Sequence, residues 1–340
     1  MGKHRKQRPS VNNDLDAVQE ILGLRAPTTT TADLWPPVFV CIDFEAFEHD
    51  HSKITEIGVA ILDTRDVTGI DPGVDGQHWV EQIKYAHFRP VQYAELRNKN
   101  FVHGCAESFN FGSTTWINLD DAKPILRRIF RDPSQLLQAG DLSMPLSGPM
   151  CDRVFVAHGV SNEIGYLKQL GFDMDQDAQV GLIIDTQRLA GGSKKGSIAL
   201  YRLLLSLGVN PVNLHNAGND AAYTLQAMVT MAFRESAAPG TVAADLLRHG
   251  GKLPRYQYNS SVAPQVWMGT AAPPYVEPPA PVYAWNSGLE DPTSVRIRAE
   301  RRRRKRVARA RAKADPKAAA AAAVAKKRRP WSFKPRRSAT

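Results

Sequence analysis

Apolar runs that begin at Val38 predict the strands of a sheet. The run VFVCIDF (38–44) has the length and composition of a buried strand, and ITEIGVAILD (54–63) predicts a second. The stretch HWVEQIKYAHFRP (78–90) predicts a third strand. Because these strands follow one another closely, we expect them to pair as hairpins.

Helical and extended patterns alternate in the next part of the chain. Helices are predicted over 119–130, 161–171, 197–208 and 216–233, and strands over 153–159 and 181–186. Strands followed by such alternation predict an α/β fold, a mixed sheet flanked by helices. We assign residues 34–236 to this domain.

The segments outside this domain are predicted to be mostly disordered. Residues 1–33 form a basic, polar arm, and Leu15-x-x-Val18-x-x-Ile21-Leu22 is its one amphipathic stretch. That stretch permits a docked helix or a transient one, and we expect the transient helix. Residues 237–295 are a Pro-rich linker in which 241–251 has a helical pattern, and 296–340 form a basic disordered tail.

Charge is distributed unevenly over the 340 residues. Residues 296–340 carry 19 Lys and Arg against two acids, whereas 11–295 carry 21 basic and 32 acidic residues. The tail therefore predicts contact with nucleic-acid phosphates or with an importin, and a solubilising role is the alternative. No run approaches the roughly 18–20 apolar residues that span a bilayer, so we predict no membrane partner.

Two acids interrupt the first predicted strand, within FVCIDFEAFE. Alternate strand residues point to one face, so Asp43 and Glu45 project together. Buried like charges repel unless a cation lies between them, and carboxylates suit Mg²⁺ or Mn²⁺. A strand end whose acids reach solvent is the alternative that this pair alone leaves open.

Two further segments carry polar residues beside small or apolar ones. His215 precedes a predicted helix whose opening turns contain Asp220, with small residues that would let the helix approach another backbone: Ala217, Gly218, Ala221 and Ala222. In AHGVSNEIGYL (157–167), Glu163 falls in the first turn of a helix, where favourable interaction with the helix dipole is the alternative to chemistry.

Together and in this order, these segments resemble the DEDDh branch of the DnaQ-like 3′→5′ exonuclease superfamily, which has an RNase H-like fold. The resemblance is carried by Asp43-x-Glu45, by ITEIG (54–58), by AHGVSNEIGYL, by Ile184-Asp185-Thr186 and by HNAGND (215–220). It covers about residues 36–234. Stretches within 87–112 are similar to a fungal branch related to a factor that supports a DEAD-box mRNA-export helicase.

The resemblance implies a two-metal phosphodiesterase. Asp43, Glu45, Glu163 and Asp220 would hold two Mg²⁺ or Mn²⁺ ions about 3.5–4 Å apart, and His215 would act as general base. Substrate contacts are expected from the motif residues and their neighbours: Ala46, Phe47, His158, Asn162 and Asn216.

The sequence departs from the family pattern in two places. Glu163 replaces the usual Asp, which moves the carboxylate by about one bond length where productive geometry tolerates about 0.5 Å. Ala46-Phe47-Glu48 replaces Thr-Thr-Gly, so contacts to the terminal nucleotide are expected to differ.

The function that follows is a nuclear or nucleo-cytoplasmic exonuclease acting on single-stranded 3′ ends, with RNA favoured over DNA. The main alternative is a nucleic-acid-binding adaptor on the same fold, active in mRNA export or ribonucleoprotein assembly. An α/β protein without nuclease ancestry is a third interpretation, and it requires the ordered acids to be accidental.

Overall fold

A computed structural model describes residues 10–12, 15–27, 35–145, 151–191 and 198–249. Its described part contains a seven-stranded sheet of order β1-β7-β6-β2-β3-β4-β5. The strands are β1 (Ser10–Asn12), β2 (Pro37–Phe47), β3 (Asp50–Asp63), β4 (Lys84–Pro90), β5 (Thr114–Ile117), β6 (Asp152–Ala157) and β7 (Val180–Asp185).

Antiparallel pairing joins β2 to β3 and β3 to β4, and the other neighbouring strands are parallel. Nine helices accompany the sheet in the described ranges: α1 (Leu15–Ile21), α2 (Thr64–Val67), α3 (Gln77–Val80), α4 (Ala122–Arg131), α5 (Val160–Gln169), α6 (Thr186–Leu189), α7 (Leu200–Ser206), α8 (Ala217–Ala237) and α9 (Thr241–His249). The predicted mixed α/β sheet flanked by helices is confirmed.

An apolar core lies on each face of the sheet, and successive side chains of β2 point alternately into one core and the other. Phe39 and Cys41 belong to the core that contains α8, whereas Val40 and Ile42 belong to the core that contains α4 and α5. Odd-numbered residues of β2 therefore face α8. This register determines the side on which Asp43 and Glu45 lie.

The start of α8 lies unusually close to β3. A Cβ atom added to Gly58 would lie 1.8 Å from the carbonyl oxygen of Ala217, and one added to Gly218 would lie 2.6 Å from the Phe109 ring. Ala217, Ala221 and Ala222 are fully buried. The expectation that small residues let this helix approach another backbone is confirmed.

The predicted third strand is wrong in its first half. Residues 77–80 form the short helix α3, and the strand begins only at Lys84. The neighbouring residues Trp79 and Val80 are both buried, which a strand with one solvent-exposed face does not allow. The Trp79 indole also donates a hydrogen bond to the Ile70 carbonyl at 2.8 Å.

The prediction of a disordered arm over 1–33 is wrong for residues 15–27. Helix α1 is docked: Val18 is fully buried in the core beside α8, and the Gln19 amide donates to the Ala232 carbonyl at 3.1 Å. Residues 10–12 pair with β7. The docked helix, rather than the expected transient one, is what the structure contains.

At the other end, α9 occupies the stretch for which a helix was predicted within the linker. Its Asp245 carboxylate lies 3.1 Å from the Arg234 guanidinium of α8. The remainder of the predicted linker, 250–295, and the predicted tail, 296–340, lie outside the described residues. Among the helices that the structure describes, none combines the length and apolar character needed to cross a membrane.

Candidate active site

The end of β2 presents two carboxylates toward the side occupied by α8. Asp43, Glu45 and Phe47 are partly accessible, whereas the intervening Phe44 and Ala46 are buried. Asp43 and Glu45 thus continue the row that Phe39 and Cys41 begin in the core. Strand alternation, rather than a loop, sets their common direction.

The second wall of the site is the first turn of α8. Asn216 caps the helix by accepting from the Asn219 backbone N–H, and Asp220 follows in the first turn. One oxygen of Asp220 accepts from the His215 backbone N–H at 3.0 Å. His215 itself has φ +65°, a left-handed conformation that is uncommon for a residue other than glycine and is enriched at functional sites.

The third wall is α5, which starts after Gly159 at φ +92°. Glu163 in its first turn is buried, and its Oε2 accepts from the Phe44 backbone N–H at 2.9 Å. Phe44 lies between Asp43 and Glu45 in the sequence. The hydrogen bond therefore brings the Glu163 carboxylate to the backbone of β2 between the two acids. The longer side chain of Glu, compared with Asp, reaches the backbone of the strand.

Three side chains from two walls converge closely. Potential ligand atoms of Glu45, His215 and Asp220 all lie within 4.8 Å of one another. The Nδ1 atom of His215 is 3.9 Å from Oε1 of Glu45. Asp43 and Glu163 lie outside this trio but interact electrostatically with it, so the structure brings all five predicted site residues into one neighbourhood.

Burial and mutual repulsion favour the protonated forms of these acids. Burial raises the pKa of Glu163 to about 8, with Asp220 adding to the rise, and burial also raises the pKa of Asp220 to about 8. The pKa values of Asp43 and Glu45 are likewise raised, first by burial and then by neighbouring carboxylates. A divalent cation would reverse this effect, because it favours the charged forms.

One oxygen of Asp220 shows whether these residues suit a metal ion. The Oδ1 atom of Asp220 is buried and finds no hydrogen-bond partner within the described ranges. A buried carboxylate oxygen normally has a partner, so this atom fits a metal ligand. The donor set of carboxylate oxygens also suits Mg²⁺ or Mn²⁺.

These raised pKa values predict how stability of the metal-free protein depends on pH. The folded protein holds protons on Glu163 and Asp220 that the unfolded chain releases near pH 4, so this stabilisation is lost as pH rises toward 8. In EDTA we expect the melting temperature to fall by about 5 °C or more between pH 6.5 and 8.5. Scanning calorimetry measures this fall.

A matched variant isolates the two groups. Glu163→Gln combined with Asp220→Asn removes two of the titrating carboxyls, and we expect it to lose a large part of the pH dependence, with the remainder coming from Asp43 and Glu45, whose pKa values are also raised. An equal slope in the variant and the parent protein would contradict the assignment. Adding Mg²⁺ should stabilise the parent protein most at high pH, because cation binding competes with protons.

His215 has the protonation state that a general base requires. Burial lowers the pKa of its imidazole, and the nearby His103 lowers it further, whereas Glu56 opposes the change. The ring is therefore neutral at pH 7 and able to accept a proton.

Two predicted substrate contacts, those of His158 and Asn216, stay predictions, and both side chains have hydrogen-bond partners within the protein. Both nitrogens of the His158 ring have partners, the Thr186 hydroxyl at 2.8 Å and the Ile198 carbonyl at 2.9 Å. Asn216 is fully buried, and its amide donates to the Cys105 carbonyl at 3.1 Å. These residues hold loops in position beside the site.

The other three predicted contacts divide in two groups. Ala46 is buried, in contrast to the partly exposed acids on either side of Phe44, and substrate contact at this residue stays a prediction. Phe47 is partly exposed, and Asn162 is exposed in the first turn of α5. Substrate contact by Phe47 and by Asn162 stays a prediction.

Glu56 is a site component to which the sequence analysis assigned no role. It is buried on β3 directly opposite Glu45, and its Oε2 accepts from the Ala217 backbone N–H at 3.2 Å. The same oxygen lies 3.0 Å from Nε2 of the buried His87. The sequence pattern that indicates a role for Glu56 is an acidic residue within the apolar run ITEIGVAILD. Asp43 interrupts the preceding strand in the same way.

A mixed sheet whose central strand presents Asp-x-Glu to the first turns of two helices defines the DEDDh exonuclease class. The chain belongs to this family: residues 38–231, more than half of its length, match the family model described as DNA polymerase III subunit epsilon-like, C-terminal domain. The predicted superfamily is thereby confirmed.

Relatives in two yeasts confirm the resemblance to a fungal branch. An uncharacterized nucleolar protein of Schizosaccharomyces pombe is 31% identical over 202 residues, covering 57% of this chain and 68% of that protein. From Saccharomyces cerevisiae, "Good for full DBP5 activity protein 2" is 27% identical over 204 residues, covering 54% of this chain. The match spans only 33% of that yeast protein.

Among solved structures, the chain is similar to the Pan2 pseudoubiquitin hydrolase-RNA exonuclease module of Saccharomyces cerevisiae in complex with A7 RNA. The TM-score is 0.33 at 15% sequence identity, and the match covers 69% of this chain and 37% of that chain.

Proposed function

We propose that this protein is a metal-dependent exonuclease that hydrolyses phosphodiester bonds from the 3′ end of single-stranded nucleic acid. The observation that carries the proposal is the convergence of Glu45, His215 and Asp220, with Asp43 and Glu163 beside them. Membership of the DEDDh family supports this function.

Four carboxylates, those of Asp43, Glu45, Glu163 and Asp220, would hold two Mg²⁺ or Mn²⁺ ions. The chemistry that such ions supply when bound is neutralisation of phosphate charge and a lowered pKa of the attacking water. Glu163 is oriented by the Phe44 N–H, and one oxygen of Asp220 by the His215 N–H, which leaves Asp220 Oδ1 for a metal.

His215 would accept the proton of the attacking water. Its Nδ1 faces Glu45, and we assign proton acceptance to Nε2, the other ring nitrogen. The hydrogen bond between its backbone and Asp220 ties the base to a metal-binding residue. This connection holds the two groups together, while 44% of the His215 side chain remains exposed to solvent.

We propose RNA over DNA as the substrate, and a nuclear or nucleo-cytoplasmic location. The proposal is supported by the names of two relatives, one called a nucleolar protein and the other "Good for full DBP5 activity protein 2". The basic segment 296–340 would add sequence-independent contacts to phosphates and suits recognition by an importin.

A direct assay uses 5′-labelled RNA and DNA oligonucleotides with free or blocked 3′ ends, in Mg²⁺ and in Mn²⁺. We expect ladders that shorten from a free 3′ end, no products in EDTA and protection by the 3′ block. Intact substrates in both metals would contradict the proposed activity.

A second candidate function is a catalytically weak nucleic-acid-binding adaptor in mRNA export or ribonucleoprotein assembly. The Glu163–Phe44 hydrogen bond favours it, because this bond uses one carboxylate oxygen that the usual Asp of the family, with its shorter reach, would leave free. Binding to nucleic acid would survive even if turnover were slow.

The variant Glu163→Asp distinguishes the two candidates. For an active enzyme we expect kcat to fall about tenfold, since the shorter side chain loses the Phe44 hydrogen bond and displacements beyond about 0.5 Å are poorly tolerated. Glu163→Gln, which keeps the length but removes the charge, should be less active still. A gain of a hundredfold or more in Glu163→Asp from an almost inactive parent would instead support the adaptor.

A further inference from the structure

An aromatic strip continues the row of catalytic acids beyond the end of β2. Phe47 is the next partly exposed residue of β2 after Asp43 and Glu45, beyond an irregularity in the pairing with β3, and the His49 ring follows with its centroid 5.2 Å from that of Phe47. The Phe101 ring lies 5.5 Å from His49 and is 73% exposed. We call Phe47, His49 and Phe101 the aromatic rim.

The loop that carries Phe101 is fixed by Glu48 in the turn between β2 and β3. The Glu48 carboxylate accepts from three consecutive backbone N–H groups, those of Lys99, Asn100 and Phe101, at 3.0, 2.9 and 2.6 Å. Although burial opposes the change, these hydrogen bonds lower the pKa of Glu48 to about 2. The carboxylate is therefore charged at neutral pH, which strengthens its hydrogen bonds to the loop.

Two side-chain amides of the same loop connect it to residues 46–49. The Asn98 side chain accepts from the Glu48 backbone N–H at 2.8 Å and donates to the Ala46 carbonyl at 2.9 Å. The Asn100 amide lies 3.0 Å from Nε2 of His49, which fixes the plane of that ring. The exposed Phe101 is thus presented on a preorganised loop.

The C-terminal end of the same loop is hydrogen-bonded to the residues that precede α8. The Cys105 backbone N–H donates to the His215 carbonyl at 3.1 Å, and the Cys105 carbonyl accepts from the Asn216 amide. The loop therefore spans from the turn after β2 to the start of α8.

We infer that the aromatic rim stacks bases of single-stranded nucleic acid next to the 3′-terminal nucleotide; this inference rests on the proposed function. Phe47 lies two strand residues beyond Glu45, about 7 Å along β2, so neighbouring nucleotides of one bound strand would reach both places. Aromatic faces suit all four bases, and stacking needs no fixed sequence. The rim would therefore increase affinity without selecting a sequence.

The test measures binding of a ten-nucleotide RNA in Mg²⁺ by fluorescence anisotropy, using the full chain with Asp43→Asn to prevent cleavage. Single abasic positions are placed in turn at the four 3′-terminal nucleotides. We expect Phe101→Ala to weaken binding about tenfold, and one abasic position to weaken binding of the parent by a similar factor. That abasic position should cost nothing further in Phe101→Ala.

Two matched variants control for fold and for general aromatic exposure. Phe101→Trp keeps a stacking face and should bind as tightly as the parent. Trp116→Ala removes another exposed aromatic residue, on the edge strand β5 outside the rim, and should bind normally. The basic segment 296–340 is common to all of these proteins, so its contribution cancels.

Parent-like binding by Phe101→Ala, or an abasic penalty that persists in this variant, would overturn the inference. Failure of the proposed function gives a different result: no turnover by the chain with Asp43 intact, while the Phe101-dependent abasic effect remains. Weak binding by Phe101→Trp would also overturn the inference, because stacking would then not explain the loss.

Discussion

Replacing Asp43 with Asn is expected to lower the rate of 3′-end hydrolysis by about 10³-fold or more. The change removes one charge from a set of carboxylates that would hold the cations, and metal ions contribute several kcal/mol to stabilisation of the transition state. Asp43 is also the residue whose pKa is raised by four surrounding acids, Glu163, Asp220, Glu45 and Glu56, after the effect of burial. It therefore lies at the electrostatic centre of the site.

Single-turnover rates on a 5′-labelled oligonucleotide measure this loss, and calorimetric titration with Mn²⁺ should show weaker binding. The fold should be retained, because Asn keeps the shape of Asp and removes repulsion among buried acids. Asp66→Asn is a suitable control: Asp66 pairs with Lys84 at the surface, and its replacement should leave the rate unchanged. Retention of a tenth or more of the activity by Asp43→Asn would refute its role.

Replacing Gly58 with Ala is expected to destabilise the fold by about 3 kcal/mol or more and to abolish activity. The added methyl group would lie 1.8 Å from the Ala217 carbonyl oxygen and 2.5 Å from the Gly218 nitrogen, both of them backbone atoms. Overpacking costs typically 1–3 kcal/mol, and a backbone neighbour cannot rotate away as a side chain does. The start of α8 must move, which displaces Asp220 in its first turn and His215 just before the helix.

Thermal unfolding should show the midpoint of Gly58→Ala lowered by about 6–12 °C. Gly165→Ala is the matched control: this glycine is exposed within α5, and nothing lies within 4 Å of its added Cβ. Because Ala favours helices, that variant should be as stable as the parent or slightly more stable, by about 0.5–1 kcal/mol. Equal midpoints for the two variants would show that β3 and α8 do not approach as closely as described.

The parts of the site that sequence could predict are those with a strong local pattern. Asp43 and Glu45 interrupt an apolar strand, and strand alternation alone gives their common direction. The small residues at the start of α8 predict that the helix approaches another backbone closely. The sequence did not indicate that Gly58 of β3 is the residue it approaches. The order of the motifs then supplied Glu163, His215 and Asp220 as members of one site.

The errors arise where distant segments meet. Gln19 and Ala232 are 213 positions apart, so nothing local to Leu15–Leu22 indicates that a helix there finds a hydrogen-bond partner. The partner of the Asn216 amide, the Cys105 carbonyl, is distant in the same way. The Glu48 contacts with residues 99–101 are equally long-range, which is why the aromatic rim emerged only from the structure.

The docking of α1 has a consequence for where this molecule is divided into parts. The family model begins at residue 38, yet Val18 and Leu22 contribute to the same core as Phe39, and Gln19 satisfies a carbonyl of α8. A boundary drawn where the family begins therefore passes through the hydrophobic interior. A fragment that begins at residue 38 would therefore expose the apolar side chains that Val18 and Leu22 cover.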